Sequence, residues 1–437
     1  MHTLEALRAG KLVGIKRLDL AVGLTEFPAE IFDLADSLEV LNLSGNQLSD
    51  LPQDLTRLNK LRILFCSDNR FKHVPEVLGQ CANLEMIGFK ANQITHLSAK
   101  ALPPKLRWLI LTDNHLQQLP AEIGAYTNLQ KLMLSGNRLQ ALPKEMAACT
   151  RLELLRIAAN RFEQLPDWLL RLPRLAWLAY AGNPFSDAIE NEVMAGISVK
   201  PIDWSSLDVQ HTLGEGASGI IYRAHRTTEH GVSPVAVKVF KGAVTSDGLP
   251  RSEKSACLVA GEHPNLIPVQ GRLHGHPDDA LGMVMPLIDP KFTNLAGPPS
   301  LESCTRDIYA PDARFNLSQL LGISQGIAAA AAHLHAKGVM HGDLYAHNIL
   351  WNEQGECLLG DFGAASFLPT CDEGLRQGLQ RIEVRAFACL LEELLARCDA
   401  PSDELAPLLD LQLRCVRTAV ETRPSFGEIE RTFSELR

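Results

Sequence analysis

Between His341 and Gly363 the chain reads HGDLYAHNILWNEQGECLLGDFG. Asp343 is followed five residues later by Asn348, and Asp361 comes thirteen residues after that. These polar groups flank two short apolar runs that read as strands, Ile349-Leu350-Trp351 and Cys357-Leu358-Leu359. A carboxylate, an amide and a second carboxylate are what phosphoryl transfer requires. One group orients or deprotonates a hydroxyl, and two oxygen ligands hold the Mg²⁺ that neutralises nucleotide phosphates.

Such a site needs a phosphate cradle upstream. The run from Leu213 to Ile221, LGEGASGII, places glycines at 214, 216 and 219. Alone it is a weak signal, shared with dinucleotide-binding turns. Those require a helix directly after the glycines. Here Ile220-Ile221-Tyr222 reads as strand, and a second strand-like run, VAVKVF, ends in Phe240. A glycine flap followed by a lysine on a strand points to Lys238 as the partner of the α/β-phosphates. Glu253 lies 15 residues after Lys238, at the start of a helical stretch, and is placed to orient it. Glu262 is the competing carboxylate, beside Pro264. An apolar strand, Leu281–Ile288, and an irregular Pro-rich stretch precede a long amphipathic helix over 317–336. That helix delivers the chain to His341.

GEGASGII, VAVK, Glu253, HPN, LHAKGVMHGDLYAHNIL, DFG and the late ETRPSF, in this order, resemble the eukaryotic-type protein kinases over residues 206–437. That resemblance implies a two-lobed α+β fold using ATP and Mg²⁺, with serine or threonine favoured over tyrosine as acceptor. It implies Asp343 as base, Asn348 and Asp361 as metal ligands, and Lys238 with Glu253 on the phosphates. Nucleotide contacts are expected at Leu213, Gly214, Glu215, Gly216, Gly219, Ile221 and Ala236. Met285 falls at the gatekeeper position and Ile288 in the hinge. Glu383 stands where an Asp usually anchors the catalytic loop.

The chain departs from the pattern at four points. Gly342 replaces an Arg that pairs with a phosphorylated activation loop. Tyr345 replaces a γ-phosphate lysine, a charge that a protonated His347 supplies in part. The APE motif is missing, which leaves Arg423 without its usual glutamate. Only 22 residues separate Asp361 from Glu383. HGD with a nearby Asn and no APE also resembles small-molecule phosphotransferases of the aminoglycoside or choline kinase type. A third reading is a catalytically weak pseudokinase scaffold. The intact Lys238, Asp343, Asn348 and Asp361 weigh against it. Ser366 and Thr370 are the hydroxyls soon after DFG and are candidates for autophosphorylation.

The first half of the chain is periodic. Asn46, Asn69, Asn92, Asn114, Asn137, Asn160 and Asn183 recur every 22 or 23 residues inside LxxLxLxxNxLxxLP. This resembles the leucine-rich repeats and implies an α/β solenoid, a parallel-strand horseshoe. Each unit supplies one short strand and cannot bury its apolar face alone, so neighbours stack. The Asn is expected to satisfy backbone groups of the turn after each strand. Cys81 and Cys149 share a core column with Leu58, Tyr126 and Leu172. The positions between the inward leucines, among them Phe65, Trp108, Met133 and Trp177, are expected to form an exposed apolar stripe for a protein substrate or partner. The alternative is that the stripe packs on the chain's own second domain.

The domain reading is 1–190 repeats, 191–205 a linker and cap, and 206–437 kinase-like. The net charge of −9 sits in the second part: residues 1–200 carry 22 basic against 21 acidic residues, the remainder 20 against 30. A nucleic-acid binder would show a basic stripe instead. Ten scattered cysteines without metal-site spacing favour reduced thiols in a cytoplasmic chain. No apolar run is long enough to span a bilayer. Substrate, activating signal and oligomeric state have no signature in the sequence.

Overall fold

A computed structural model describes every residue except Met1, Ser198, Ala217, Ala243, Ser246, Leu436 and Arg437. Ala217, inside the glycine run, therefore lies outside the described residues. The chain divides into two compact units, Met1–Leu172 and Pro173–Arg437.

The first unit is a leucine-rich-repeat solenoid. Each repeat contributes a three-residue strand and a short helical turn. The strands pair in parallel, so that Leu18, Leu41, Leu64, Ile87, Leu109, Leu132 and Leu155 form one column. All seven are fully buried. A three-residue strand projects its middle side chain to one face and its outer two to the other. That explains why a single leucine per strand suffices for the column.

The asparagines close the turns. The Asn114 amide donates to Phe89 O at 2.8 Å and Leu111 O at 3.1 Å, and its Oδ1 accepts from Ile94 N at 2.9 Å. Asn46, Asn69, Asn92, Asn137 and Asn160 repeat this pattern. An Asn amide offers two donors and an acceptor on one short side chain, whereas a hydroxyl has a single O–H to give. The residue before each Asn is left-handed: Gly45, Asp68, Ala91, Asp113, Gly136 and Ala159 all have φ between 52° and 73°. Ala91 and Ala159 hold that conformation at a cost of ~1–2 kcal/mol each.

The expected exposed stripe is largely covered. Ile63, Met86, Met133 and Leu154 are buried. Phe65 lies across the position of Gly88, where an added Cβ would stand 2.6 Å from its ring. The Lys131 ammonium caps the Trp108 ring at 4.1 Å. Phe65 and Trp108 are half-buried, not open. Cys81 and Cys149 are buried, and burial pushes both thiols up to about 11.

The second unit starts with the strand of the last repeat, Trp177–Ala179, and a helix, Pro184–Ala195, capped by Asn183 and Ser186. Its main sheet has six strands in the order 207–215, 219–228, 231–240, 282–286, 271–274 and 201–203. Residues 191–205, expected as a linker, thus contribute both helix and an edge strand to this unit. Helix Pro250–Ala260 follows the third strand in sequence. Helices Leu317–Ala336, Glu373–Leu395, Ser402–Cys415 and Phe426–Glu435 build the rest. Between them lie a small ladder, 293–294 with 349–351 and 357–359, and a pair, Val339–Met340 with Ser366–Phe367. Among the described residues, no helix is long and apolar enough to cross a membrane.

Candidate active site

The glycine run joins the first two strands of the main sheet. Gly216 N donates to Gly219 O at 2.9 Å, closing the turn. A Cβ at Gly219 would meet Val239 O at 2.5 Å, so the close approach of two strands demands glycine there. At Gly214 and Gly216 a Cβ would meet nothing within 4 Å. Protein packing therefore does not require those two glycines. The Glu215 side chain pairs with Lys241.

Lys238 lies opposite Ile221 on one side and Met283 on the other. Its ammonium pairs with Glu253 on helix Pro250–Ala260, and Asp361 Oδ1 lies 3.8 Å away. Glu262, the competing carboxylate, is exposed. Burial opposes the Lys238 charge, but the two carboxylates outweigh it and raise its pKa. Burial pushes the Glu253 carboxyl up to about 7, against the pull of Lys238.

A cavity of about 460 Å³ opens beside this pair. Leu213, Ile221, Ala236, Met285 and Ile288 line it as expected, together with Lys238, Glu253 and Asp361. Gly214, Glu215, Gly216 and Gly219 are not among its walls, nor are Asp343 and Asn348. Arg223, Met283 and Leu350 line it too and escaped the sequence reading. Their signals were available: Arg223 shares the face of Ile221 two residues on. Met283 pairs with Lys238, and Leu350 follows Asn348 into a strand.

The loop around Asp343 is tied by buried and half-buried bonds. His341 Nε2 donates to Gly360 O at 2.9 Å, which leaves Nδ1 to accept from Asp343 N at 3.3 Å. The Asn348 amide donates to Asp343 O and Oδ2, both at 2.9 Å. Gly360 N donates to Asn348 O at 3.0 Å, joining this loop to the backbone preceding Asp361. Asp361 itself has φ 54°. Glu383 Oε1 accepts from Gly342 N, and its Oε2 meets His335 Nε2, both at 2.7 Å. Burial raises the Glu383 carboxyl, but His335 and the Gly342 amide more than offset this, and its pKa is lowered.

Residues 207–390 match the family described as protein tyrosine and serine/threonine kinase, and residues 37–58 and 127–185 match leucine-rich repeats. The chain joins leucine-rich repeats to a protein kinase domain. The kinase domain is 30% identical over 188 residues to human ephrin type-B receptor 4, covering 42% of this chain and 18% of that one. It is 30% identical over 177 residues to the serine/threonine-protein kinase-transforming protein mos of Moloney murine sarcoma virus (strain ts110), covering 38% and 47%. To cyclin-dependent kinase 11.1 of Caenorhabditis elegans it is 29% identical over 156 residues, covering 35% and 20%. The chain thus spans less than half the length of each of these curated relatives.

Within the second unit several expectations are corrected. Trp177, expected on an exposed stripe, is buried. Its ring stacks on Tyr345 at 4.1 Å and 6°, and its Nε1 donates to Leu344 O at 3.0 Å. Ser366 is fully buried, with its Oγ accepting from Tyr180 N at 3.0 Å, so it is no target for phosphorylation in this state. Thr370 is exposed. Arg423 turns to carbonyls, donating to Pro173 O, Arg381 O and Arg417 O at 2.7, 3.1 and 3.0 Å. Burial, with Arg385 nearby, lowers its pKa to about 10. His347 Nδ1 meets Asp307 Oδ1 at 2.8 Å. Burial opposes the imidazolium, but the Asp307 hydrogen bond and nearby carboxylates raise its pKa.

Proposed function

We propose that the chain transfers the γ-phosphoryl group of ATP to a serine or threonine hydroxyl of a protein, with Mg²⁺. The observation that carries this is the joint placement of Lys238, Glu253 and Asp361 on one apolar cavity, tied through Gly360 to the Asp343–Asn348 pair. The residues suit the nucleotide: an apolar slot for a purine, a cation at its inner end, and glycines at 214 and 216 whose missing side chains leave room that no protein atom fills. Asp361 and Asn348 offer the oxygen donors a hard divalent cation prefers.

ATP supplies the transferable group, and Mg²⁺ offsets its charge. Lys238, held by Glu253, binds the α/β-phosphates. Asp343 orients the acceptor hydroxyl and takes its proton. Asn348 holds Asp343 in place through its amide, and its oxygen with Asp361 would hold Mg²⁺. His347, whose imidazolium Asp307 favours, brings positive charge to the loop when protonated, where Tyr345 supplies none. The repeat unit recognises the protein partner or substrate, with the half-open Trp108 and Phe65 as its reachable aromatic contacts. All ten thiols are free, which suits a reducing cytoplasm.

The deciding experiment compares wild type with Asp343→Asn for ATP turnover on mixed Ser/Thr and Tyr peptides and on small aminoalcohols. Loss of an orienting base costs ~10²–10⁴-fold in rate. Ser/Thr-peptide labelling that falls by that factor, with nucleotide binding kept, is the expected result. Labelling of Tyr peptides alone overturns the acceptor assignment, and labelling of aminoalcohols alone overturns the protein substrate. Nucleotide binding with no Asp343-dependent turnover makes the domain a scaffold.

A further inference from the structure

The segment from Trp177 to Glu190 touches both halves of the phosphoryl-transfer machinery. At its start, Trp177 stacks on Tyr345, two residues after Asp343, and its indole N–H donates to Leu344 O. Next, Leu178 O fills the space beside Gly342: a Cβ there would stand 2.7 Å from it and 2.5 Å from Ala364 O, and Gly342 has φ 74°. No cationic side chain fits at that position to receive an activating phosphate. Then Tyr180 grips the run after Asp361. Its N–H donates to Ser366 Oγ at 3.0 Å and its hydroxyl to Phe367 O at 2.9 Å. Finally the helix Pro184–Ala195 braces the helix that bears Glu253. Arg251 Nη2 donates to Asp187 Oδ2 and Oδ1 at 2.7 and 2.8 Å, and Glu190 Oε2 accepts from Ser252 Oγ at 2.8 Å.

In kinases that are switched on by phosphorylation, the new phosphate orders the activation loop through arginine pairs. Here buried aromatic rings and hydrogen bonds already hold those parts. From this geometry we infer that residues 177–190 are positioning residues that hold the kinase domain in its transfer-ready arrangement without a phosphorylated activation segment. The inference rests on the phosphoryl-transfer reading above. A stacked, hydrogen-bonded indole at the base of the catalytic loop limits where Asp343 can sit, and orientation errors of about 1 Å cost ~10²-fold in rate. Binding of nucleotide draws on the sheet and Lys238 instead, which the Trp177 and Tyr180 contacts do not touch.

The test uses the full chain. Phosphatase-treated wild type and Thr370→Ala keep full peptide turnover. Trp177→Ala lowers kcat at least tenfold with KM for ATP within twofold, and Trp177→Phe, which keeps the stack, recovers most of it. Tyr180→Phe deletes one hydroxyl only, guards against a folding artefact, and lowers kcat while its melting midpoint stays within a few degrees of wild type and well above the assay temperature. Hydrogen exchange supplies a readout independent of turnover: amides 364–368 exchange at least tenfold faster in Trp177→Ala. Loss of turnover on phosphatase treatment or in Thr370→Ala overturns the inference. So does a Trp177→Ala protein with wild-type kcat, or one with unchanged exchange. A wild type without turnover sinks the transfer reading, and the exchange measurement then still judges the brace.

Discussion

Asn114 in the repeat unit and Asn348 in the kinase domain show how differently the two regions use one side chain. Asn114 bridges two turns through Phe89 O, Leu111 O and Ile94 N, and five other asparagines do the same one repeat apart. Asn348 bonds Asp343 at backbone and carboxylate, and its position in the catalytic loop occurs once. In the repeats stability is a sum of similar nearest-neighbour terms. In the kinase domain the polar contacts join unlike elements, each pairing made once: Lys238 to Glu253, Gly342 to Glu383, Asn348 to Gly360. Losing one repeat bond weakens a fold that has many. Losing one kinase contact removes a step that has no duplicate.

The largest expected effect falls on the singular side. Lys238→Met should cut peptide phosphorylation ~10²–10³-fold, the loss seen when one preorganised charge-stabilising donor is removed. A steady-state rate within tenfold of wild type would remove Lys238 from the site. On the repetitive side, Asn114→Ala leaves buried backbone groups of two repeats unpaired and should cost ~1–3 kcal/mol in urea unfolding of the repeat unit, with kinase activity little changed. Asn69→Ala should match it, since the environments match; two very different losses would break the equivalence of repeats.

A smaller effect sharpens the contrast through pH. The Glu253 carboxyl sits at about 7 in the folded protein, above its ordinary value. As pH falls from 8 to 6 it takes up a proton and loosens Lys238, so affinity for a nucleotide analogue should drop several-fold. A raised carboxyl favours the protonated folded state, so conformational stability should rise over the same interval. Affinity and stability moving in the same direction would refute the assignment, and Glu253→Gln should flatten both curves. The smallest effect belongs to the repeats: Ala159→Gly relieves a left-handed alanine and should stabilise by under ~1 kcal/mol, where an ordinary Ala→Gly change costs ~0.5–1 kcal/mol. A clear drop in melting midpoint would count against strain at that turn.

Periodicity and local motif chemistry lie within short windows, and these were legible. The 22–23-residue spacing implied parallel stacking. The leucine column and the asparagine bonds follow from it, because each repeat meets a copy of itself. The glycine run, Lys238 and the Asp343–Asn348–Asp361 series were readable as motifs because the phosphate, metal and hydroxyl roles proposed for them would constrain residue type. The left-handed Ala91 and Ala159 were not readable, since alanine carries no turn signal. Trp177 looked like its counterparts in other repeats, yet its partner, Tyr345, lies 168 residues away and belongs to no repeat. Ser366 had the chemistry of a phosphorylation site, but Tyr180 covers it.

By itself, the sequence determined the solenoid, the kinase domain's motifs and the residue types of the proposed transfer site, because each depends on spacing within one element or on one ligand's chemistry. Only the tertiary structure decided which carboxylate pairs with Lys238 and what replaces the missing glutamate at Arg423. It alone showed why Gly342 admits no side chain, and that the last repeat's Trp177 packs on the Asp343 loop through Tyr345 and Leu344. Those outcomes depend on which surfaces meet, and burial there turns an exposed tryptophan or serine into a structural contact.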